Sequence, residues 1–266
     1  MSAEPRQQRF VFGEAAELYD QARPGYGAAI VDDVLDFAGV DAERLRALEV
    51  GAGTGKATVA FATREVGILA LEPDPAMAAV AARNCAPFPR VSIERATFEE
   101  WRVQLAAFDL LFAAQAWHWV DPSVRYIKAA QALRASGTLA LIWHRVRWRG
   151  ERLRDELEAL YRRVAPELYA RDPGFPGLSP RREERELIGE ITASGLFDGV
   201  TARTHRWSET FTAESLVDRL STQSDHRLLD EATRVQLFDA LRELVTAHGG
   251  AVVVPHVTFV ALARRR

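Results

Sequence analysis

Cysteine is almost absent from this chain: 266 residues contain one, Cys85. A single thiol excludes an internal disulfide and a multi-cysteine zinc site, and no metal is expected. An excess of one charge is also missing. Lys and Arg number 34 against 37 Asp and Glu, a formal net charge of -3. Such a balance provides no global basic field of the kind that draws duplex DNA. No stretch approaches the roughly 18 apolar residues that span a bilayer. Met1 to Phe10 lack the apolar segment of a secretory signal. Repeats and low-complexity tracts are absent too. These absences predict a cytoplasmic protein with neither a membrane nor a nucleic-acid partner. What is present is an ordinary globular composition, 48% hydrophobic and 27% charged, in a chain long enough for one large α/β domain.

The first half alternates short apolar runs with helical patterns, as a parallel sheet flanked by helices requires. Helical spacing over Tyr26 to Phe37 gathers Ile30, Val31, Val34 and Leu35. Strands are predicted at Ala47 to Val50, Val66 to Leu71, Val91 to Ile93, Phe108 to Ala114 and Thr138 to Trp143. Between them fall helices from Gly55 to Arg64, after Asp74-Pro75, and from Asp121-Pro122 to Gly137. Asp-Pro supplies an N-cap followed by proline at the first helical position. Past Trp143 the pattern changes. Arg145 to Tyr169 reads as a charged helix burying Leu153, Leu157, Leu160 and Tyr161, and Arg171 to Arg182 as a loop. Glu184 to Ser194 and most of Ala213 to Ala247 are helical, while Thr201 to Phe211 and Ala251 to Ala261 are two late strands.

The segment Glu49-Val50-Gly51-Ala52-Gly53-Thr54-Gly55-Lys56 sits where the first strand turns into a helix. A dinucleotide fingerprint needs a third glycine at position 56, which is Lys56. A phosphate-binding loop needs a longer glycine spacing and a hydroxyl after its lysine, where this chain has Ala57. Both fail. An acid-x-Gly-x-Gly-x-Gly turn remains. Glu72 closes the second strand about 20 residues on, where a carboxylate accepts both ribose hydroxyls of an adenosine. Glu49 would repel a pyrophosphate and suits a ligand ammonium. Adenosine plus an ammonium group describes S-adenosylmethionine.

The turn and its following acid resemble motif I of class I S-adenosylmethionine-dependent methyltransferases. Phe12 to Tyr26, with Tyr19-Asp20 and Arg23-Pro24-Gly25-Tyr26, is similar to the lead-in segment of a small-molecule branch that includes trans-aconitate methyltransferase-like proteins. Ala114-Gln115-Ala116-Trp117-His118-Trp119 is similar to that branch's fourth-strand motif. The resemblance covers Phe12 to Trp143 well and the rest in outline. It implies a Rossmann-like α/β fold: a seven-stranded, mainly parallel sheet with one antiparallel strand, helices on both faces, and a helical lid. The expected organisation is one methyltransferase domain over residues 1–266, with residues 145–195 as a helical insertion on the acceptor side.

The implied activity is methyl transfer from S-adenosylmethionine to a small molecule, leaving S-adenosylhomocysteine. The cofactor set is Glu49, Gly51, Gly53, Thr54, Gly55, Glu72, Pro73 and Gln115, with Tyr19 and Arg23 near the methionine end. Met77 is either core or an adenine neighbour. Thr97 and Phe98 come in at the adenine edge, although Arg95 to Glu99 departs from the family's usual small residue and acid. Trp117 and Trp119 are expected to wall an acceptor pocket at the strand ends, with Trp143 and Trp148 open between pocket and core. Arg145, Arg147 and Arg149 alternate after the fifth strand, and Arg145 or Arg147 would clamp an acceptor carboxylate. His118 is either a base for a hydroxyl acceptor or a structural hydrogen-bonding residue. Two other classes stay open: a cofactor-binding regulatory module without transferase activity, and a methyltransferase for RNA or protein.

Overall fold

A computed structural model describes residues 15–148, 152–171 and 180–266. The start of the lead-in segment, Arg149 and most of the loop expected over 171–182 lie outside the described residues. Two helices come first, α1 (Ala16–Ala22) and α2 (Ala28–Ala38). Then β1 (Arg46–Val50), α3 (Lys56–Ala62), β2 (Gly67–Leu71), α4 (Pro75–Cys85), β3 (Val91–Glu94) and β4 (Phe108–Ala114) alternate. A single 3-10 turn, Trp117–Trp119, leads to α5 (Arg125–Ala132) and β5 (Leu133–Val146). Three helices follow, α6 (Arg152–Val164), α7 (Pro166–Arg171) and α8 (Pro180–Ala193). The chain ends with β6 (Phe197–Thr212), α9 (Ala213–Ser221), α10 (Ser224–Arg227), α11 (Glu231–Ala247) and β7 (Ala251–Arg265).

The seven strands form one mixed sheet in the order β3-β2-β1-β4-β5-β7-β6. Pairing is parallel from β3 through β5, with Glu49 level with Ala70 on one side and Phe112 on the other. The fold is the Rossmann-like α/β arrangement expected, with one antiparallel pair of strands in the sheet.

The chain divides into two compact units. The sheet unit comprises Pro24–Trp143, Glu183–His205 and Thr258–Arg266; the helical unit comprises the described parts of Met1–Arg23, His144–Arg182 and Arg206–Val257. In the sheet unit, strand alternation makes two cores. Leu111 and Ala113 of β4 join Leu48, Leu139 and Leu141 against α5 and Ile191. Leu110 and Phe112 face the other way, onto Ile30, Val31 and Val34 of α2 and Phe61 of α3. The helical unit packs Leu153, Leu157, Leu160 and Tyr161, the stripe read from sequence, against Leu220, Leu237, Leu241, Val245 and Val252.

Some boundaries differ from the sequence reading. Asp121-Pro122 does not cap a helix. The Asp121 carboxylate accepts from Ser123 N and Oγ, closing a local turn, and α5 starts at Arg125. That helix stops at Ala132 because Leu133, fully buried, already pairs with Phe108 as β5. Arg145 and Val146 extend β5 and are not helical, Ala165 separates α6 from α7, and residues 180–182 open α8.

Candidate cofactor site

The sheet unit builds its site mainly from backbone. Gly51, Gly53 and Gly55 all take left-handed conformations, at φ +73°, +58° and +84°, which side chains with a Cβ rarely tolerate. Their surroundings differ. A Cβ on Gly51 would fall 2.4 Å from that of Ala116, and one on Gly55 3.2 Å from Cys85 Sγ, so these two glycines let the turn pack closely on the segment after β4 and on α4. Over Gly53, among the described residues, only Met77 Cε comes near, at 3.7 Å. That glycine leaves an open cradle.

Glu72, buried at the end of β2, accepts a hydrogen bond from Gly53 N at 2.8 Å and another from Asp74 N at 2.9 Å. Its carboxylate therefore ties the glycine turn to the start of α4. Each carboxylate oxygen can accept more than one donor, so this role is compatible with holding a ribose diol. Asp74 then caps α4, its Oδ1 accepting from Ala76 N and Met77 N with Pro75 at the first position, as the sequence predicts. Asn84 of α4 donates to Thr54 O at 3.0 Å.

Glu49 is wholly buried on β1. Thr58 Oγ1 donates to its Oε2 at 2.5 Å, while Oε1 has no hydrogen-bond partner among the described residues. Burial pushes the Glu49 carboxyl up to about 8, the Thr58 bond pulls it down, and the Glu72 charge adds to the rise. The same neighbourhood lifts the Cys85 thiol to about 11, chiefly by burial. These observations serve as a test of fit for S-adenosylmethionine. A buried orphan carboxylate oxygen wants a donor or a cation, and the ligand's ammonium is both. An open cradle over Gly53 beside the Glu72 carboxylate suits a nucleoside sugar. The residues fit.

Other predicted residues are placed as follows. Met77 is buried beside Gly53, and Pro73 lies between Glu72 and Asp74. Gln115 is left-handed at φ +60°, its N–H donating to Ile142 O. Thr97 closes a turn with Glu100, exchanging bonds of 2.9 and 3.1 Å. Phe98 and Trp117 are buried together, ring centroids 6.0 Å apart, with Tyr126 edge-on to Trp117 at 5.6 Å. His118 is exposed and its ring lies 4.7 Å from that of half-buried Trp119. Trp143 belongs to the sheet unit's core and Trp148 to that of the helical unit. In the helical unit, Arg145 Nη1 donates to His144 O at 3.2 Å, and Arg147 N to Pro255 O at 2.8 Å.

Tyr19 and Arg23 belong to the helical unit. The Arg23 guanidinium lies over the Tyr19 ring, 5.1 Å from its centre. Arg23 Nε donates to Thr222 Oγ1 at 2.8 Å and Nη2 to Thr222 O at 3.0 Å. The Thr222 hydroxyl proton goes to Arg219 O, which leaves its oxygen to accept from Arg23. Three residues on from Thr222, Asp225 Oδ1 engages His226 Nδ1 and His226 Nε2 meets Tyr161 OH, at 2.9 and 2.7 Å. Sequence reading missed Thr58, Ala116, Asn84, Thr222 and Asp225. Each is an ordinary residue type, and all but Asp225, which engages its neighbour His226, act through a partner several residues or more away.

Residues 47–137, from β1 and the glycine turn to the start of β5, match the family model described as a methyltransferase domain. An uncharacterized methyltransferase of Mycobacterium tuberculosis is 28% identical over 263 residues, covering 97% of each chain. Together these matches support a class I S-adenosylmethionine-dependent methyltransferase. Solved structures agree on the fold of this methyltransferase. A protein of Anaeromyxobacter dehalogenans, provisionally assigned as a type II methyltransferase, superposes with a TM-score of 0.60 at 24% identity, over 92% of this chain and 97% of that one. A phosphoethanolamine N-methyltransferase of Haemonchus contortus, complexed with phosphomonomethylethanolamine and S-adenosylhomocysteine, gives 0.55 at 14% identity, over 95% and 57%. Among the described residues no helix of the methyltransferase is long and apolar enough to cross a membrane, and no three His, Cys, Asp or Glu side chains gather as a metal set.

Proposed function

We propose that the methyltransferase acts on a small-molecule acceptor, a carboxylate or a hydroxyl, as one catalytic domain with residues 145–195 on the acceptor side. The orphan Glu49 Oε1 beside the Glu72-anchored turn carries the cofactor half of this reading. Glu49 would take the ammonium, Glu72 the ribose, the Gly51 to Gly55 turn with Thr54 the nucleoside backbone, and Pro73, Met77, Thr97 and Phe98 the adenine. Gln115, Tyr19 and Arg23 would serve the methionine end. Bound there, S-adenosylmethionine supplies a methyl on a sulfonium, an electrophile with a good leaving group.

The chain's own part is then alignment and exclusion of water. Trp117 and Trp119 are assigned to the acceptor's apolar wall, and Arg145 and Arg147 to orienting an anionic group. His118 is exposed, which favours alignment over proton abstraction as its contribution. If it were the base for a hydroxyl, the rate would fall below about pH 6.5 and His118→Ala would cost about 10²–10⁴-fold. The balanced charge supports a small molecule over RNA or protein. The similarity to the trans-aconitate methyltransferase-like branch supports it as well. Labelled S-adenosylmethionine offered with metabolite pools, RNA and protein tests this. Label entering small molecules supports the reading. Label entering RNA or protein alone, or nothing despite cofactor binding, overturns it.

A further inference from the structure

The helical unit holds a polar cluster outside the residues assigned so far. Alternation along β6 puts Trp207, Glu209 and Phe211 on one face. His256 of β7 stacks on Trp207, centroids 4.3 Å apart and planes at 13°, and Phe211 stands 6.5 Å from the same ring. His144 of β5 meets Trp207 edge-on at 5.3 Å. From α9, buried Arg219 acts electrostatically on both Glu209 and His256. His256 is 4% exposed, and its Nε2 stands 3.8 Å from Glu209 Oε2. Neither atom makes a hydrogen bond among the described residues. They are too far apart to bond each other, and a buried polar atom without a partner is a desolvation loss that a ligand can recover.

We propose that Glu209 and His256 form a recognition subsite for a neutral hydroxyl group of the acceptor, an inference that rests on the small-molecule reading above. The hydroxyl donates to Glu209 Oε2 and accepts from His256 Nε2–H. Charge decides the class. The Glu209 carboxylate repels an anion and the Arg219 guanidinium repels a cation, so an acceptor carboxylate or ammonium meets a like charge here. An apolar group would leave both atoms unsatisfied. His256 is neutral at physiological pH, held down to about 3 by burial, with the Arg219 and His144 charges adding to the effect. A neutral imidazole next to a carboxylate offers one N–H and one acceptor oxygen, which a single hydroxyl satisfies at once. Access lies on the Glu209 side, whose side chain is 28% exposed.

The test uses the full chain, ring-¹⁵N-labelled at histidine and saturated with S-adenosylhomocysteine, titrated with phenol, benzoate and benzylammonium. These probes share one ring and differ in the charge of the polar group. Phenol is expected to shift the His256 ring signal to saturation, with benzoate and benzylammonium leaving it in place. His256→Phe, which keeps the stack on Trp207, and Glu209→Gln, nearer the surface, should each weaken phenol binding by about tenfold. A shift by benzoate in place of phenol, no shift by any probe (a buried water being then the only occupant), or unchanged phenol affinity in both variants would overturn the inference. Calorimetry of S-adenosylhomocysteine on the same samples reads the cofactor site separately. If it binds and phenol leaves His256 untouched, the hydroxyl subsite alone fails. If it does not bind, the cofactor reading fails first.

Discussion

Glu49 in the sheet unit and His256 in the helical unit are both buried ionisable side chains, and burial moves them in opposite directions. The carboxyl rises from its ordinary 4.5 to about 8 and the imidazole falls from 6.5 to about 3, so at neutral pH both are held uncharged. For Glu49 the proposed remedy is a cation, the ammonium of the cofactor. For His256 it is a neutral hydrogen-bonding group. The surroundings differ in kind as well. In the sheet unit backbone conformation does the shaping, through three left-handed glycines and a carboxylate that binds main-chain N–H groups. In the helical unit side chains hold side chains, as in Arg23 on Thr222 and Tyr161 on His226.

The most severe test of that contrast is Gly51→Val. Left-handed strain of about 1–2 kcal/mol adds to overpacking against Ala116, about 1–3 kcal/mol, so urea denaturation should show a loss near 3 kcal/mol. Gly53→Ala carries the strain without the clash. It should cost less stability and act mainly on S-adenosylhomocysteine affinity. Equal stability losses in the two variants would break the distinction between a packing glycine and a cradle glycine.

Glu72→Ala comes next, with a binding loss of about 1.5–3 kcal/mol, the range for a hydrogen bond to a charged group. Calorimetry showing unchanged affinity would remove Glu72 from the site. In the helical unit, Thr222→Val removes the oxygen that accepts from Arg23 Nε and should weaken S-adenosylhomocysteine by about 1 kcal/mol. Methylthioadenosine, which lacks the amino-carboxylate, should bind as before, and Thr222→Ser should restore the loss. Equal losses for both ligands would mean that Thr222 merely supports the fold.

The pH dependence of stability separates the two regions by sign. The Glu49 carboxyl is raised by folding, so its contribution is complete below pH 4.5 and is lost as pH rises to about 8. The His256 imidazole is lowered, so its contribution is complete above pH 6.5 and is lost as pH falls towards 3. In urea titrations Glu49→Gln should flatten the alkaline decline and His256→Phe the acid one. A single variant that flattens both would show that the two regions do not titrate independently.

The sheet unit was the more legible in sequence because local chemistry decides it. The glycine turn, the Asp74-Pro75 helix start and strand β4, found at the bounds expected, each follow from residues a few positions apart. The misread boundaries have long-range causes. Leu133 became strand because Phe108 pairs with it, and Asp121-Pro122 became a turn because Ser123 answers the aspartate. Among the candidate residues, Glu49 and Glu72 were picked out by charge and position, but Thr58 could not be, since nothing in its identity announces a buried carboxylate. His256 and Glu209 passed unnoticed for the same reason. They are 47 residues of chain apart in number and meet only because β6 and β7 are neighbours in the sheet.

The central claim is that Glu49, the glycine turn and Glu72 hold S-adenosylmethionine, with Glu49 facing its ammonium. Calorimetry with S-adenosylhomocysteine at pH 7, repeated in buffers of different ionisation enthalpy, tests it most directly. A cation arriving at a carboxyl held near 8 must expel its proton, so binding should release protons in the wild type and not in Glu49→Gln. Affinity should climb from pH 6 towards 8, until the ligand's own amino group begins to titrate at about 7.7–8. No binding of S-adenosylhomocysteine, or binding with the same proton release in Glu49→Gln, would contradict the account.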